Sequence, residues 1–299
     1  MKTYVITGGT DGIGKALALT YLERGHEVVV VGRNAEKGAA WLDTARQRGA
    51  AGRAHFTHAD LSLMAETEAV IGSIRSSFAK IDALVLCARH FRTSRLVTPE
   101  GFENTFAHFY LSRFVLSHEL AHLLEAADEP VILNVAGPGG GGEIHWEDLQ
   151  LAQGYDGQRA LAQGGRLNDL LGAGFADARP GTKVRYVLIN PGTVNTSFSG
   201  QYTPDVMAQI EAMRRSALSM DEALAPVLDV LDNPPTTPLS AFVQGEALSP
   251  CGPGFAVEEA RRLRGRTERL LGGWAASFGS SVRWSGVPLG GGPGPFSDV

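Results

Sequence analysis

Three glycines near the start of the chain could do chemistry. Gly8, Gly12 and Gly14 stand in the stretch Thr7-Gly8-Gly9-Thr10-Asp11-Gly12-Ile13-Gly14. An apolar run at 4–6 leads into it, and apolar residues at helical spacing follow from Lys15 to Leu22. A glycine turn between a strand and a helix suits a pyrophosphate. Gly8 permits the tight turn, Gly12 lets the backbone approach the phosphates, and Gly14 lets the helix lie near the sheet. Thr10, Asp11 and Ile13 complete the loop. The helix N-terminus adds unpaired N–H groups and a partial positive charge. The expected ligand is a dinucleotide.

The next candidates bear on which dinucleotide. The run Glu27-Val28-Val29-Val30-Val31 reads as a parallel strand buried on both faces, and it ends at Gly32-Arg33-Asn34. An acidic residue at such a point holds a ribose 2′-hydroxyl, whereas an arginine accommodates a 2′-phosphate. Arg33, with Asn34 beside it and Lys37 as a second cation, therefore points to NADPH/NADP+ rather than NAD.

Two other patterns invite chemistry. His118-Glu119-Leu120-Ala121-His122 has the spacing of a zinc-binding helix. It falls on a helix expected between two sheet strands, so two surface histidines are expected and no metal site. Tyr155-Asp156-Gly157-Gln158-Arg159 places a tyrosine four residues before a cation, where it could serve as a general acid. His145 and Trp146, after a run of glycines, are placed to meet a substrate.

The elements that must position these residues alternate. Strands are expected near 4–6, 27–31, 54–58, 81–86, 131–135, 183–189 and 239–244. Helices are expected near 102–126 and 161–175. Such alternation implies an α/β fold, a doubly wound parallel sheet of Rossmann type in a single domain spanning 1–271. A helical insertion at about 195–220, amphipathic around Val206, Ile210 and Met213, follows the carboxyl end of a strand. It is read as a lid over the substrate. A charged helix is expected over 257–271. A Gly/Pro-rich tail at 272–299 follows, in which Trp274, Phe278 and Trp284 suggest a docking segment.

Composition excludes several classes. The chain has 299 residues, 43% hydrophobic and 20% charged, with net charge −5. That balance argues against a nucleic-acid binder. No apolar run reaches the length of a membrane span, so no membrane partner is expected. The two cysteines, Cys87 and Cys251, form no disulfide framework. The first strand starts almost at Met1, which leaves no room for a signal peptide. The expected location is the cytoplasm.

Together these residues resemble the short-chain dehydrogenase/reductase family. The Thr7-to-Gly14 stretch matches its TGxxxGIG motif, and Asp60-Leu61 matches its adenine-side aspartate. Pro191-Gly192-Thr193-Val194, with Thr196, matches the loop that follows the nicotinamide. Leu86-Cys87-Ala88-Arg89 stands where the family has Asn-Asn-Ala-Gly, so Cys87 and Ala88 are assigned to the cofactor. Gly101-Phe102-Glu103 and the late charged helix resemble the retinol-dehydrogenase-like branch. The family commonly pairs through the helices after its fourth and fifth strands, which leaves a homo-oligomer open.

The resemblance implies a catalytic Asn, Ser, Tyr and Lys, and here it breaks. The alignment puts the Asn position at Phe109 and the Ser position at Gly137. The helix Gly165-Arg166-Leu167-Asn168-Asp169-Leu170-Leu171 is similar to Ser-Lys-Leu-Ala-Asn-Leu-Leu, which puts Lys at Arg166 and Tyr at Ala162. Arg166 would keep the ribose-binding charge. Tyr155 and His145 are the only substitutes for a protein acid. An emptied tetrad with a complete cofactor half resembles the atypical ketoreductases of angucyclinone biosynthesis. It implies an NADPH-dependent reductase of a polycyclic aromatic ketone, a polyketide in antibiotic biosynthesis, with the proton supplied by the substrate. The alternatives are a redox-silent NADP-binding scaffold or regulator, and a non-redox cyclase or lyase.

Overall fold

Residues 1–278 are described by a computed structural model of the chain. The chain runs β1 (Thr3–Thr7), α1 (Gly12–Glu23), β2 (Glu27–Gly32), α2 (Ala35–Gln47), β3 (Ala54–His58), α3 (Met64–Ser77) and β4 (Ala83–Leu86). A short β5 (Phe91–Arg92) precedes a long helical rod made of α4 (Asn104–Phe106), a π turn (Ala107–Leu111), α5 (Ser112–Glu119) and α6 (Ala121–Glu125). Then come β6 (Val131–Val135), α7 (Gly157–Ala178), β7 (Arg185–Asn190), β8 (Gly200–Gln201), α8 (Pro204–Arg215) and α9 (Met220–Asp232). The described chain closes with β9 (Leu239–Val243), β10 (Glu246–Leu248) and α10 (Val257–Phe278).

The central sheet has the order β10-β9-β7-β6-β4-β1-β2-β3, and its strands are parallel except for β10. Strands β1, β2, β4 and β6 are almost continuously buried, which is why they read as unbroken apolar runs. One apolar layer joins the sheet to α1, α2 and α9 through Leu17, Tyr21, Trp41 and Val227. The other joins it to the rod, α7 and α10 through Phe114, Leu170, Phe175 and Leu263. The order reverses between β1 and β4, and in open sheets of this kind a ligand binds beyond the carboxyl ends at that point.

Three expectations need correction. The helix expected over 102–126 is interrupted. Glu103, 2% exposed, caps its start by accepting from Thr105 N and Phe106 N at 2.9 and 2.7 Å. The π turn then displaces the helix face around Phe109, and Leu120 ends α5. The late helix does not stop at 271 but continues to Phe278, because Trp274 packs into the core at 5% exposure. Phe278 itself is exposed, and the rest of the expected tail, Trp284 included, lies outside the described residues. In the expected lid stripe only Ile210 is buried, while Met213 is exposed.

The stem of this insertion is strapped down. Phe91 and Arg92 of β5 pair in parallel with Gly200 and Gln201 of β8. The two short strands tie the segment after β7 to the segment after β4. No helix among the described residues is long and apolar enough to cross a membrane.

Candidate active site

The glycine turn has the geometry its spacing predicted. Gly8 and Gly12 have φ of 67° and 50°. A Cβ at Gly8 would come within 2.9 Å of the Ala88 backbone, and one at Gly14 within 2.6 Å of Gly8 O. Glycine is required at each for close approach. Asp11 caps α1 by accepting from Gly12 N at 2.8 Å, which leaves the Ile13 and Gly14 N–H groups at the open end of the helix. Ala88 N is anchored to Thr7 Oγ1 at 3.3 Å, so the exits of β1 and β4 are held side by side.

The stem of the insertion packs onto this turn. Thr196 Cγ2 would lie 3.1 Å from a Cβ on Gly12, and Ser197 Oγ donates to Asp11 Oδ2 at 2.8 Å. Lys37 Nζ pairs with the same oxygen. Burial pushes the Asp11 carboxyl up, but the bonds from Lys37, Ser197 and Gly12 outweigh it and hold it below its usual range. Thr193 O accepts from Leu218 N at 2.8 Å, and Val194 bridges to Leu218, which fixes the loop Pro191-Gly192-Thr193-Val194. Gly192, at φ 90°, donates its N–H to Asn190 Oδ1.

At the other end of the cleft Arg33 is exposed and meets His90 Nδ1 at 2.9 Å. Asn34 Oδ1 accepts from Lys37 N at 2.8 Å, a helix cap rather than a free group. Asp60 accepts from Ser62 N and Oγ at 2.9 and 2.8 Å, and Leu61 is buried beside it. Burial raises the Asp60 carboxyl, but the Ser62 bonds and then His108 and Arg33 bring it below its usual value. Burial pulls His90 and His108 down to about 4, so both rings are neutral at pH 7. Burial pushes the Cys87 thiol up to about 12, which removes it as a nucleophile.

This cradle fits a dinucleotide: two positive-φ glycines that a Cβ would block, an open helix end, and an arginine beyond β2. Bound there, NADPH would supply a hydride. Gly8, Gly12, Ile13 and Gly14 would take the pyrophosphate, Arg33 the 2′-phosphate, Asp60 and Leu61 the adenine side, and Ala88 and Pro191 to Thr196 the nicotinamide side. Lys37 reaches a phosphate only by leaving Asp11.

The residues to which the resemblance assigned the tetrad lie on the π turn, after β6 and on α7. Gly137 follows β6, and a Cβ there would meet nothing within 4 Å. Ala162 is exposed. Arg166 is not a ribose ligand: its guanidinium is held by Gly254 O at 2.7 Å, Asp169 at 3.5 Å and Glu259 at 3.6 Å. The residue of α7 that faces Gly137 is Gly165, whose Cβ would lie 3.9 Å from Gly137 O. Leu161, four residues earlier, shares its face. On the Gly137 side α7 thus presents Gly165 and, one turn earlier, Leu161, rather than Arg166 and Ala162. An α-helix turns about 100° per residue, so a shift of one carries Arg166 onto the α10 side.

Phe109, assigned by the resemblance to the Asn position, has a buried ring packed so closely on α7 that a Cβ at Gly164 would lie 2.5 Å from it. Its carbonyl accepts from Asn168 Nδ2 at 2.9 Å. Tyr155 is not poised as an acid. Its hydroxyl lies 3.3 Å from Thr105 Oγ1 and 3.4 Å from Arg92 O, and burial raises it above the usual phenol value. The His145 backbone is fixed by Gln163 Oε1 at 2.9 Å, and the next residue, Trp146, lies under Arg262 of α10. Of the zinc-like pattern, His118 is packed between Phe114 and Phe175 and meets Arg179 at 2.9 Å, while Glu119 pairs with Arg75. Those residues build the rod's contacts.

Sequence reasoning missed His90, His108 and Arg113. The first two close the Arg33 corner. Arg113 lies in an apolar stretch, Arg113-Phe114-Val115-Leu116, and that burial pattern was the available signal.

The fold is doubly wound, and its cradle has the shape of a dinucleotide site. Residues 2–146 match the family model described as short chain dehydrogenase. Over that stretch, just under half of the chain, the protein is similar to the short-chain dehydrogenase/reductase family. It is 29% identical to Oxidoreductase AN1596 of Emericella nidulans, over 65% of this chain and 59% of that protein. It is 28% identical to Retinol dehydrogenase 13 of Mus musculus, over 68% of this chain and 61% of that protein. The chain thus spans about three-fifths of the length of these curated relatives. A short chain dehydrogenase from Burkholderia cenocepacia in complex with NADP has the same fold, with a TM-score of 0.63 at 20% identity, covering 82% of this chain and 96% of that one. So does an alcohol dehydrogenase from Thermococcus sibiricus complexed with 5-hydroxy-NADP, with a TM-score of 0.62 at 18% identity, over 85% and 99%.

Proposed function

We propose that this protein is an NADPH-dependent ketoreductase acting on a ketone of a polycyclic aromatic polyketide, angucyclinone-like, in antibiotic biosynthesis. The observation that carries the reading is the contrast within one cleft. The cofactor cradle is complete, while Phe109, Gly137, Leu161 and Gly165 supply no acid where the family's tetrad stands. Exposed Arg33 supports NADP over NAD. Two NADP-bound structures share the fold, which supports the same cofactor class. Holding the reactants face to face supplies a large part of the barrier reduction, roughly 7–11 kcal/mol at best.

When bound, NADPH supplies a hydride to the carbonyl carbon and is oxidised to NADP+, while the displaced carbonyl electron pair goes to the oxygen. The proton that oxygen needs comes from a phenol hydroxyl on the neighbouring ring carbon, and water restores the phenol. Gly137 and Gly165 leave room for a flat ring system.

The test is deuterium transfer from the pro-S C4 position of labelled NADPH into polycyclic ketones with and without a neighbouring phenol. Label is expected in the phenol-bearing ketones alone, and Tyr155→Phe is expected to leave it unchanged. Label in both sets, abolished by Tyr155→Phe, would restore a protein acid. NADPH binding with no label anywhere would favour a redox-silent scaffold or a non-redox cyclase.

A further inference from the structure

Arg113 is 1% exposed, and the groups acting on its charge among the described residues include no carboxylate. Its Nη1 donates to Asn134 Oδ1 and, at 2.9 Å, to Val135 O; its Nη2 donates to Ala88 O at 2.9 Å. Its Nε has no partner. Its guanidinium carbon lies 4.5 Å from the centre of the Phe109 ring. Burial pulls the guanidinium down to about 10, which leaves it charged at neutral pH.

The groups around it do not neutralise that charge. Burial pushes both the Cys87 thiol and the Tyr186 phenol up to about 12. His108 is neutral, and Arg89, exposed beyond β4, adds charge of the same sign. Asn134 and Asn168 contribute only dipoles. Burying an unpaired charge is expensive, and an apolar side chain here would avoid the cost.

Its location gives that charge a use. Ala88 and Val135 lie at the exits of the neighbouring strands β4 and β6, and Gly137 follows Val135 by two residues. Phe109 is assigned by the resemblance to the family's Asn position. Three segments that carry the emptied tetrad and its cofactor loop therefore converge on one guanidinium.

We propose that Arg113 is a positioning residue that holds a fixed positive charge beneath the reacting carbonyl and so selects a ketone flanked by an ionisable phenol. This rests on the ketoreductase reading. During reduction the ketone oxygen gains an electron pair, and the phenol then gives up its proton to it. One net negative charge persists on the pair of substrate oxygens, first as alkoxide and then as phenolate, until water reprotonates the phenolate. A charge fixed in a water-poor site needs no reorganisation to stabilise that anion. The family's tyrosine and lysine act by donating and relaying a proton; Arg113 acts by its field.

The test uses the full chain with NADP+ and 1,8-dihydroxyanthraquinone, a phenolic ketone whose visible absorption moves when the phenol ionises. In the wild type the bound probe should ionise roughly one to two pH units below the free probe, a ten- to hundredfold shift in its ionisation constant. Arg113→Lys, which keeps the charge, should retain most of the shift. Arg113→Met should lose it, and should lower kcat more than it raises KM. A folded Arg113→Met protein with the wild-type shift overturns the proposal. If that variant does not fold, a folded Arg113→Lys protein without the shift overturns it equally. A probe that does not bind overturns the phenolic-ketone class. Turnover is read separately: a wild type that shifts the probe but consumes no NADPH with any phenolic ketone keeps the charged site and loses the reductase.

Discussion

Replacing Asp169 with asparagine should stabilise the protein at neutral pH and remove a pH dependence. Asp169 is fully buried on α7. Its Oδ2 accepts from Gly139 N at 3.1 Å and lies 3.5 Å from Arg166, while its Oδ1 has no partner. Burial dominates, and the carboxyl is pushed up from 3.8 to about 6 despite Gly139 and Arg166. The native state therefore holds a proton that the unfolded chain has released between about pH 4 and 6. The carboxyl's penalty is nearly absent below pH 4 and fully developed above pH 6, so this group makes stability fall as pH rises through that window. A shift of about two units corresponds to about 3 kcal/mol at pH 7–8. Asparagine keeps the acceptor for Gly139 and stays neutral. Urea unfolding of wild type and Asp169→Asn at pH 4 and pH 8 would measure the difference. The variant should gain about 2–3 kcal/mol relative to wild type between those pH values. Stability differences that are equal at both pH values would refute the reasoning, and a variant that is weaker at pH 8 would show that the ion pair with Arg166 outweighs burial.

Arg33→Ala should weaken NADPH by about 1.5–3 kcal/mol, roughly 10- to 150-fold, the range for a hydrogen bond to a charged group, and leave NADH nearly unchanged. Fluorescence titration with each cofactor checks this, and equal losses would remove Arg33 from the 2′-phosphate. Neighbouring glycines of α7 should respond with opposite signs in urea unfolding. Gly164→Ala drives a Cβ to 2.5 Å from the fixed Phe109 ring and should cost about 1–3 kcal/mol, partly offset by about 1 kcal/mol of helix propensity. Gly165→Ala meets only Gly137 O at 3.9 Å and should gain up to about 1 kcal/mol. Equal effects would place the tetrad register elsewhere.

What could be read without coordinates was local. The turn from Gly8 to Gly14 declares itself because its strand, glycines and helix are contiguous, and Arg33 because it ends an unmistakable buried strand. The helix α7 was harder. Its motif is degraded, one residue of slip turns a side chain by a quarter of the helix, and Arg166 moved from the cleft to the α10 contact. The apolar stretch around Arg113 hinted at its burial, but its partners could not be read, because Ala88, Asn134 and Val135 are brought to it by strand pairing. The π turn that seats Phe109 above it leaves no sequence mark. His90 and His108 meet Arg33 and Asp60 only through the fold.

The helix α10 has a consequence for assembly. Tyr110 of the π turn and Thr267 share a 2.7 Å hydrogen bond, and Gly174 of α7 approaches Ala260 so closely that a Cβ there would lie 3.5 Å away. Arg261 pairs with Asp177 at 2.7 Å. The helix thus lies over the rod and α7, the two surfaces through which the resembling family commonly pairs. Here the covering helix belongs to the same chain and is present at the effective concentration of a tether, which a separate copy reaches only at high protein concentration. A second copy seeking that face would compete against an occupant that never diffuses away. Association through other faces stays open, while this one is occupied in cis.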